Sequence, residues 1–287
     1  MYISNGHEPI GFEVSSPDKL FGRHKALVTS LLENSVPQAT IYCPIYDGGD
    51  SLFGHRNPKA SCAVCLTNTL LIVSIDHHRR NSFNSFALPH SRIICLETGS
   101  ALLQGWFRLV FKDDNEEFNK IDILCNARVL EYFDKLVRIW RKMVKIRPKM
   151  PPGVQALEGT FDYTPLLLPR EKVLTSIVLP AQFTKNHKKE ILSHATKLLL
   201  TTYGLVVLIT ESSPFINQIN FGERRIFWNL RPMGSPIYFG VDATSLTIRI
   251  KDHPGFDLLI YQTAGALTQT LIDDLTILEK LSATIGK

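Results

Sequence analysis

No stretch of this 287-residue chain is apolar for long enough to span a bilayer: the longest runs, such as Leu205–Ile209, fall far short of the roughly 20 residues a membrane helix needs. Catalytic signatures are missing as well. There is no GxSxG, HExxH, phosphate-binding loop or dinucleotide fingerprint, so the expectation is a protein that is not an enzyme and carries no cofactor. Cysteine is scarce: Cys43, Cys62, Cys65, Cys95 and Cys125 make an odd number, all before residue 130, in a chain large enough to fold without staples, and reduced thiols are the simpler reading. The excess of one charge is small, +5 overall, so no nucleic-acid partner is expected. The opening MYISNGHEPIGFEV has neither a basic leader nor an apolar signal core, and Tyr2 stands where myristoylation needs glycine. The expected location is therefore cytoplasmic.

What the chain does contain is a repeat. Ala60–Asp76, ASCAVCLTNTLLIVSID, lines up without a gap on His194–Thr210, HATKLLLTTYGLVVLIT, at an offset of 134 that sets Thr67 on Thr201, Leu71 on Leu205 and Ile75 on Ile209. Each copy reads as an apolar run, a Thr-containing break and a second apolar run, the pattern of a strand, a tight turn and an antiparallel partner. A duplicated domain follows.

In chain order, residues 1–15 read as an extended lead-in. Ser15, Ser16, Pro17 and Asp18 then open a short helix through Leu20, Leu27 and Leu31. Residues 39–47 have strand composition, Asp47–Lys59 is turn-rich, and His77–Ser85 reads as a polar loop before a strand over Ile93–Leu96. Gly99–Gly105 turns the chain into a strand that sets Trp106, Arg108, Val110 and Lys112 on one face and Phe107, Leu109 and Phe111 on the other. From Asn126, an N-cap, the period becomes 3.6: Val129, Phe133, Leu136, Val137 and Trp140 make one face of a helix. The proline-rich stretch 147–168 is a linker between a first domain, 1–146, and a second, 169–287. The second half repeats the order: a strand in EKVLTSIVLP, a basic loop, the repeat copy, further strands, and a helix beginning near Thr263 and running through Leu267, Leu271, Leu275 and Leu278. The Lys112–Asp113 pair returns as Lys251–Asp252, now at an offset of 139.

Candidate sites have plain alternatives. The loop TKNHKKE supplies Lys185, His187, Lys188 and Lys189, with Lys197 on the strand beyond, a cation cluster suited to an anionic headgroup but equally suited to solvation. Cys62 and Cys65 form a CxxC near Cys43 and His55, four ligand types for zinc. Strand alternation points the pair to opposite faces, however, and the repeat puts Thr196 and Leu199 in their places, so no metal is assigned.

The hairpin copies AVCLTNTLLIVSID and KLLLTTYGLVVLIT, the following FALPHSRIICLE and the helix with Trp140 resemble the pleckstrin homology and GRAM superfamily, including bacterial PH-like domains. The resemblance implies a mainly β, α+β fold of two bent antiparallel sheets, each closed by a C-terminal amphipathic helix. It also implies a non-enzymatic binding or scaffolding protein that engages a protein or peptide. The alternative is peripheral attachment to anionic membrane or phosphoinositide through Lys185, His187, Lys188, Lys189 and Lys197.

Overall fold

The computed structural model describes residues 11–32, 35–45, 60–77, 81–101, 104–144, 156–157, 166–184, 191–212, 220–229, 237–241, 244–250, 257–263 and 268–285. It is mainly β with α, its sheets antiparallel, and it divides into two compact units, Met1–Val144 and Lys145–Lys287. Among the described residues no helix is long and apolar enough to cross a membrane.

In the first unit, β1 (Phe12–Glu13), β2 (Pro37–Cys43), β3 (Ala60–Thr67), β4 (Leu70–His77) and β5 (Ser82–Pro89) lie side by side in that order. Then β6 (Ile93–Ala101), β7 (Gln104–Lys112) and β8 (Phe118–Asn126) pair in series, and α2 (Leu130–Met143) follows. The remaining helix, α1 (Gly22–Leu32), is inserted between β1 and β2. It buries Val28 against Ala63, Cys65 and Ile72.

The second unit repeats this order. Four strands, β9 (Val173–Leu179), β12 (Ala195–Thr201), β13 (Gly204–Ser212) and β14 (Asn220–Trp228), are antiparallel neighbours, with the short β10 (Gln182–Phe183) and β11 (Ile191–Ser193) inserted after the first. Three more, β15 (Ile237–Val241), β16 (Ser245–Ile250) and β17 (Asp257–Gln262), pair in series before α3 (Gln269–Ile285).

The repeat read from sequence is a repeat of register. Leu66 faces Leu71 and Val64 faces Val73 in one hairpin, while Leu200 faces Leu205 and Leu198 faces Val207 in the other, each pair displaced by the same 134 residues. The turns are built alike because a buried threonine sits at the end of each first strand. Thr67 Oγ1 accepts from the N–H groups of Thr69 and Leu70 and donates to the Leu70 carbonyl. Thr201 Oγ1 accepts from Tyr203 N and lies 3.0 Å from the Gly204 carbonyl. A short polar side chain satisfies the turn's backbone locally, which fixes the hairpin. Gly204 is obligatory in its copy: its φ is +149° and an added Cβ would stand 2.1 Å from the Trp228 carbonyl oxygen.

The likeness continues into the preceding strand at an offset of 136. Ile41 lies opposite Val64 as Ile177 lies opposite Leu198. Each strand also bulges at the same place, Gln38 falling between Pro37 and Ala39 and Leu174 between Val173 and Thr175.

Three sequence expectations need correction. Ser82–Ser85, expected as the end of a polar loop, begins a strand: Ser82–Pro89 pairs residue for residue with β4, and none of Ser82, Phe83, Asn84 and Ser85 is buried, so that part reads as polar. Gly99 belongs to β6 rather than to a turn. It sits opposite Trp106, whose ring lies where a Cβ would be, 2.2 Å away, so the glycine is kept by close packing. Finally, α3 starts at Gln269 and not near Thr263, because the Thr263 N–H is spent on the Thr244 carbonyl while Thr268 Oγ1 receives the Leu271 N–H at the helix start. Likewise Asn126 caps a 3-10 turn, Ala127–Val129, that leads into α2.

Candidate functional site

A strand at the edge of a sheet leaves a row of N–H and C=O groups without ladder partners. In the second unit β9 is such a strand. One edge pairs with β12, and among the described residues no strand pairs with the other, although Leu157 N donates to the Val173 carbonyl at its beginning. Beside this edge lies a cleft of about 570 Å³. Ser176, Ile177, Val178 and Pro180 form its strand wall, Gln182, Tyr261 and Thr263 one end, and Thr268, Thr270, Leu271 and Asp274 of the α3 first turns the opposite wall.

Each wall has a local cause. Along β9, Ile177 and Leu179 are buried and Val178 points outward with 63% of its surface exposed, as strand alternation requires. The strand ends at Pro180, which cannot continue a ladder. Its carbonyl accepts the Tyr261 hydroxyl, fastening β17 to the bend. Burial pushes the Tyr261 phenol above its ordinary range, partly offset by the Gln182 side chain, so it remains a neutral donor. A second fastening is Gln262 N to Ser193 Oγ at 2.6 Å. On the far wall α3 buries Leu275 and Leu278, and Thr270 and Asp274, which flank that face, are exposed. The result is a slot with backbone polar groups and hydroxyls along its sides, one exposed apolar side chain and one carboxylate. Its described lining residues form no acid–base or nucleophilic constellation. It suits an extended chain that hydrogen-bonds through its backbone.

Of the residues chosen from sequence, Lys185, His187, Lys188 and Lys189 lie outside the described residues, as does His55. Lys197 is half-buried in β12, opposite Val178 on one side and Leu208 on the other. It is therefore the cross-strand neighbour of a cleft residue. Sequence reading missed Ser176, Tyr261, Thr270 and Asp274. The signal that leads to them is the repeat itself, which equates β9 with β2.

The cysteines occupy the first unit's core. Cys43 faces Cys62 across β2 and β3, and Cys65 receives the Thr40 hydroxyl. All five are free and buried. The neighbouring Cys125 thiol and burial hold Cys43 well above the usual thiol range, and burial raises Cys62 and Cys65 likewise. Among the described residues no group of three or more His, Cys, Asp or Glu side chains is placed to hold a metal.

Buried polar groups elsewhere are structural. His24 is buried between Ser74 Oγ, 2.7 Å from Nδ1, and Ser61 Oγ, 2.9 Å from Nε2. Arg108 bridges Asp122 and Glu97 across β6, β7 and β8, and Trp106 Nε1 donates to Glu97.

No protein-family model matches this chain, nor does any curated protein or solved structure.

Proposed function

We propose that the chain is a non-enzymatic binding protein of two pleckstrin-homology-like units, and that its second unit takes up a protein or peptide segment in the cleft between β9 and α3. The order of elements in each unit supports the family reading: a first run of antiparallel strands, β1–β5 in one unit and β9, β12, β13 and β14 in the other, then three antiparallel strands and a C-terminal helix. The observation that carries the functional reading is the edge of β9 that no strand pairs with among the described residues, beside a cleft of about 570 Å³ lined also by the first turns of α3. Strand addition at such an edge draws affinity from main-chain hydrogen bonds and selectivity from the side-chain positions on either side.

The test is selection from a displayed library of random peptides on the immobilised full chain, followed by binding of the enriched peptides to a Thr270→Trp variant. Thr270 is exposed on the first turn of α3, so a tryptophan there fills the cleft without entering the core. The expected result is enrichment of extended peptides whose affinity falls about tenfold or more on the variant at unchanged melting temperature. Failure to enrich any peptide, or equal binding to the variant, overturns the proposal. Salt-sensitive co-sedimentation with anionic liposomes, lost on changing Lys188 and Lys189 to Ala, would instead support membrane attachment.

A further inference from the structure

Among the described residues the two units differ at the same strand edge, which a strand covers in the first and none covers in the second, and the first unit shows what the edge accepts. At the offset of 136, Thr40, Ile41 and Tyr42 of β2 correspond to Ser176, Ile177 and Val178 of β9. In the first unit this edge is covered. Strand β1 runs antiparallel along it, Phe12 opposite Tyr42 and Glu13 opposite Ile41, and Val14 N donates to the Thr40 carbonyl at 2.7 Å. The side chains of this added segment have distinct fates. Phe12 packs on the Tyr42 ring, Val14 is buried in the α1 core, and Glu13 between them reaches α2, where Lys135 Nζ lies 2.7 and 2.8 Å from its two carboxylate oxygens. The pattern of the segment is apolar, charged, apolar.

In the second unit the charge on the helix is reversed. Lys135 stands five residues after the first residue of α2, and Asp274 five residues after the first residue of α3. The offset between them is 139, the same that relates Lys112–Asp113 to Lys251–Asp252. Asp274 is exposed and lines the cleft, as do Val178 and Ile177 on the strand opposite.

We infer that the β9 edge is filled by an extended segment of a partner protein, antiparallel to β9, with an apolar residue opposite Val178, a lysine or arginine opposite Ile177 facing Asp274, and an apolar residue opposite Ser176. This deepens the reading of the cleft as a peptide groove and rests on it. Exposed Val178 offers the apolar contact that Tyr42 gives Phe12. Asp274 selects a cation where Lys135 selects a carboxylate, so charge at one position tells the two edges apart.

The probes are two fluorescent peptides: residues 9–16 of this chain, and the same peptide with Glu13→Lys, each titrated into the full chain by anisotropy at low and at physiological salt. The expected result is tighter binding of the lysine peptide, by about threefold at low salt and less at high salt, as for a partly exposed ion pair. In the Asp274→Lys variant the preference inverts. Binding at the first unit by displacement of β1 gives the opposite sign, because Lys135 favours the original glutamate there. A preference for the glutamate peptide, equal binding, no binding of either, or a preference untouched by Asp274→Lys each overturns the inference. Library peptides that need an open cleft yet show no such charge preference would overturn it alone and leave the peptide groove standing; peptides indifferent to Thr270→Trp would remove both.

Discussion

Thr67 and Thr201 offer a matched pair of perturbations, one in each copy of the repeated hairpin. Both are fully buried at the end of a first strand, and Thr→Val keeps their shape while removing the hydroxyl. In the first hairpin the amides of Thr69 and Leu70 lose their acceptor, but the turn is at the surface and water can replace it. A loss of about 1 kcal/mol is expected. In the second hairpin the hydroxyl has another task. It lies 2.6 Å from Oε1 of Glu171, a carboxylate only 8% exposed, whose Oε2 receives Leu168 N at 2.7 Å. The single hydroxyl proton goes to the carboxylate, so Thr201→Val strips a buried charge of a donor and costs a further ~1.5–3 kcal/mol. Native-state hydrogen exchange at rising urea reads the opening free energy of each hairpin separately, which a two-unit protein requires. Adding Glu171→Gln to Thr201→Val, which removes the buried charge, should recover most of the difference, while the same change should leave Thr67→Val untouched. Equal losses in the two hairpins, or no coupling between positions 171 and 201, would refute the reasoning.

Gly99→Ala drives a methyl into the Trp106 ring and pulls its Nε1 from the nearly buried Glu97, so denaturant unfolding should report a loss of about 1–3 kcal/mol together with a changed tryptophan near-ultraviolet band. His90 is held below the ordinary histidine pKa by burial, with Nε2 donating to the Thr67 carbonyl at 3.0 Å and Nδ1 buried with no hydrogen-bond partner among the described residues. The unfolded chain therefore binds the proton first as pH falls: the stability contribution is complete above the unfolded value of 6.5 and is lost progressively below it. His90→Gln, which keeps a donor but does not titrate, should flatten the urea-midpoint profile between about pH 7.5 and 5. A variant profile as steep as that of the native chain would refute the assignment.

How far the sequence could be read depended on whether neighbouring elements shift against one another. The hairpins were legible because Thr67 and Thr201 close turns of identical length, and an ungapped match of 17 residues preserves the cross-strand pairs from Ser61–Asp76 to Leu66–Leu71. The amphipathic α2 was legible because Phe133, Leu136, Val137 and Trp140 all face the core at helical spacing. Strand β5 was not, since its core contacts are few and its sequence is shaped by solvent. The candidate cleft was hidden for a different reason. No residue type marks it: Ser176, Thr270 and Asp274 are ordinary surface residues, and the site exists only because an edge that Phe12–Val14 covers in one unit has no strand paired with it among the described residues of the other. The offset between halves grows from 134 at the hairpins to 136 at the edge strands and, in the other direction, to 139 at the helices. A single alignment offset therefore misses the correspondence of Lys135 with Asp274, and only the element boundaries restore it. The misplaced start of α3 has a separate cause. A leucine stripe through Leu271, Leu275 and Leu278 fixes a helix's face but not its first residue, and Thr268, the residue that does cap it, follows a stretch whose helical periodicity is indistinguishable from the helix itself.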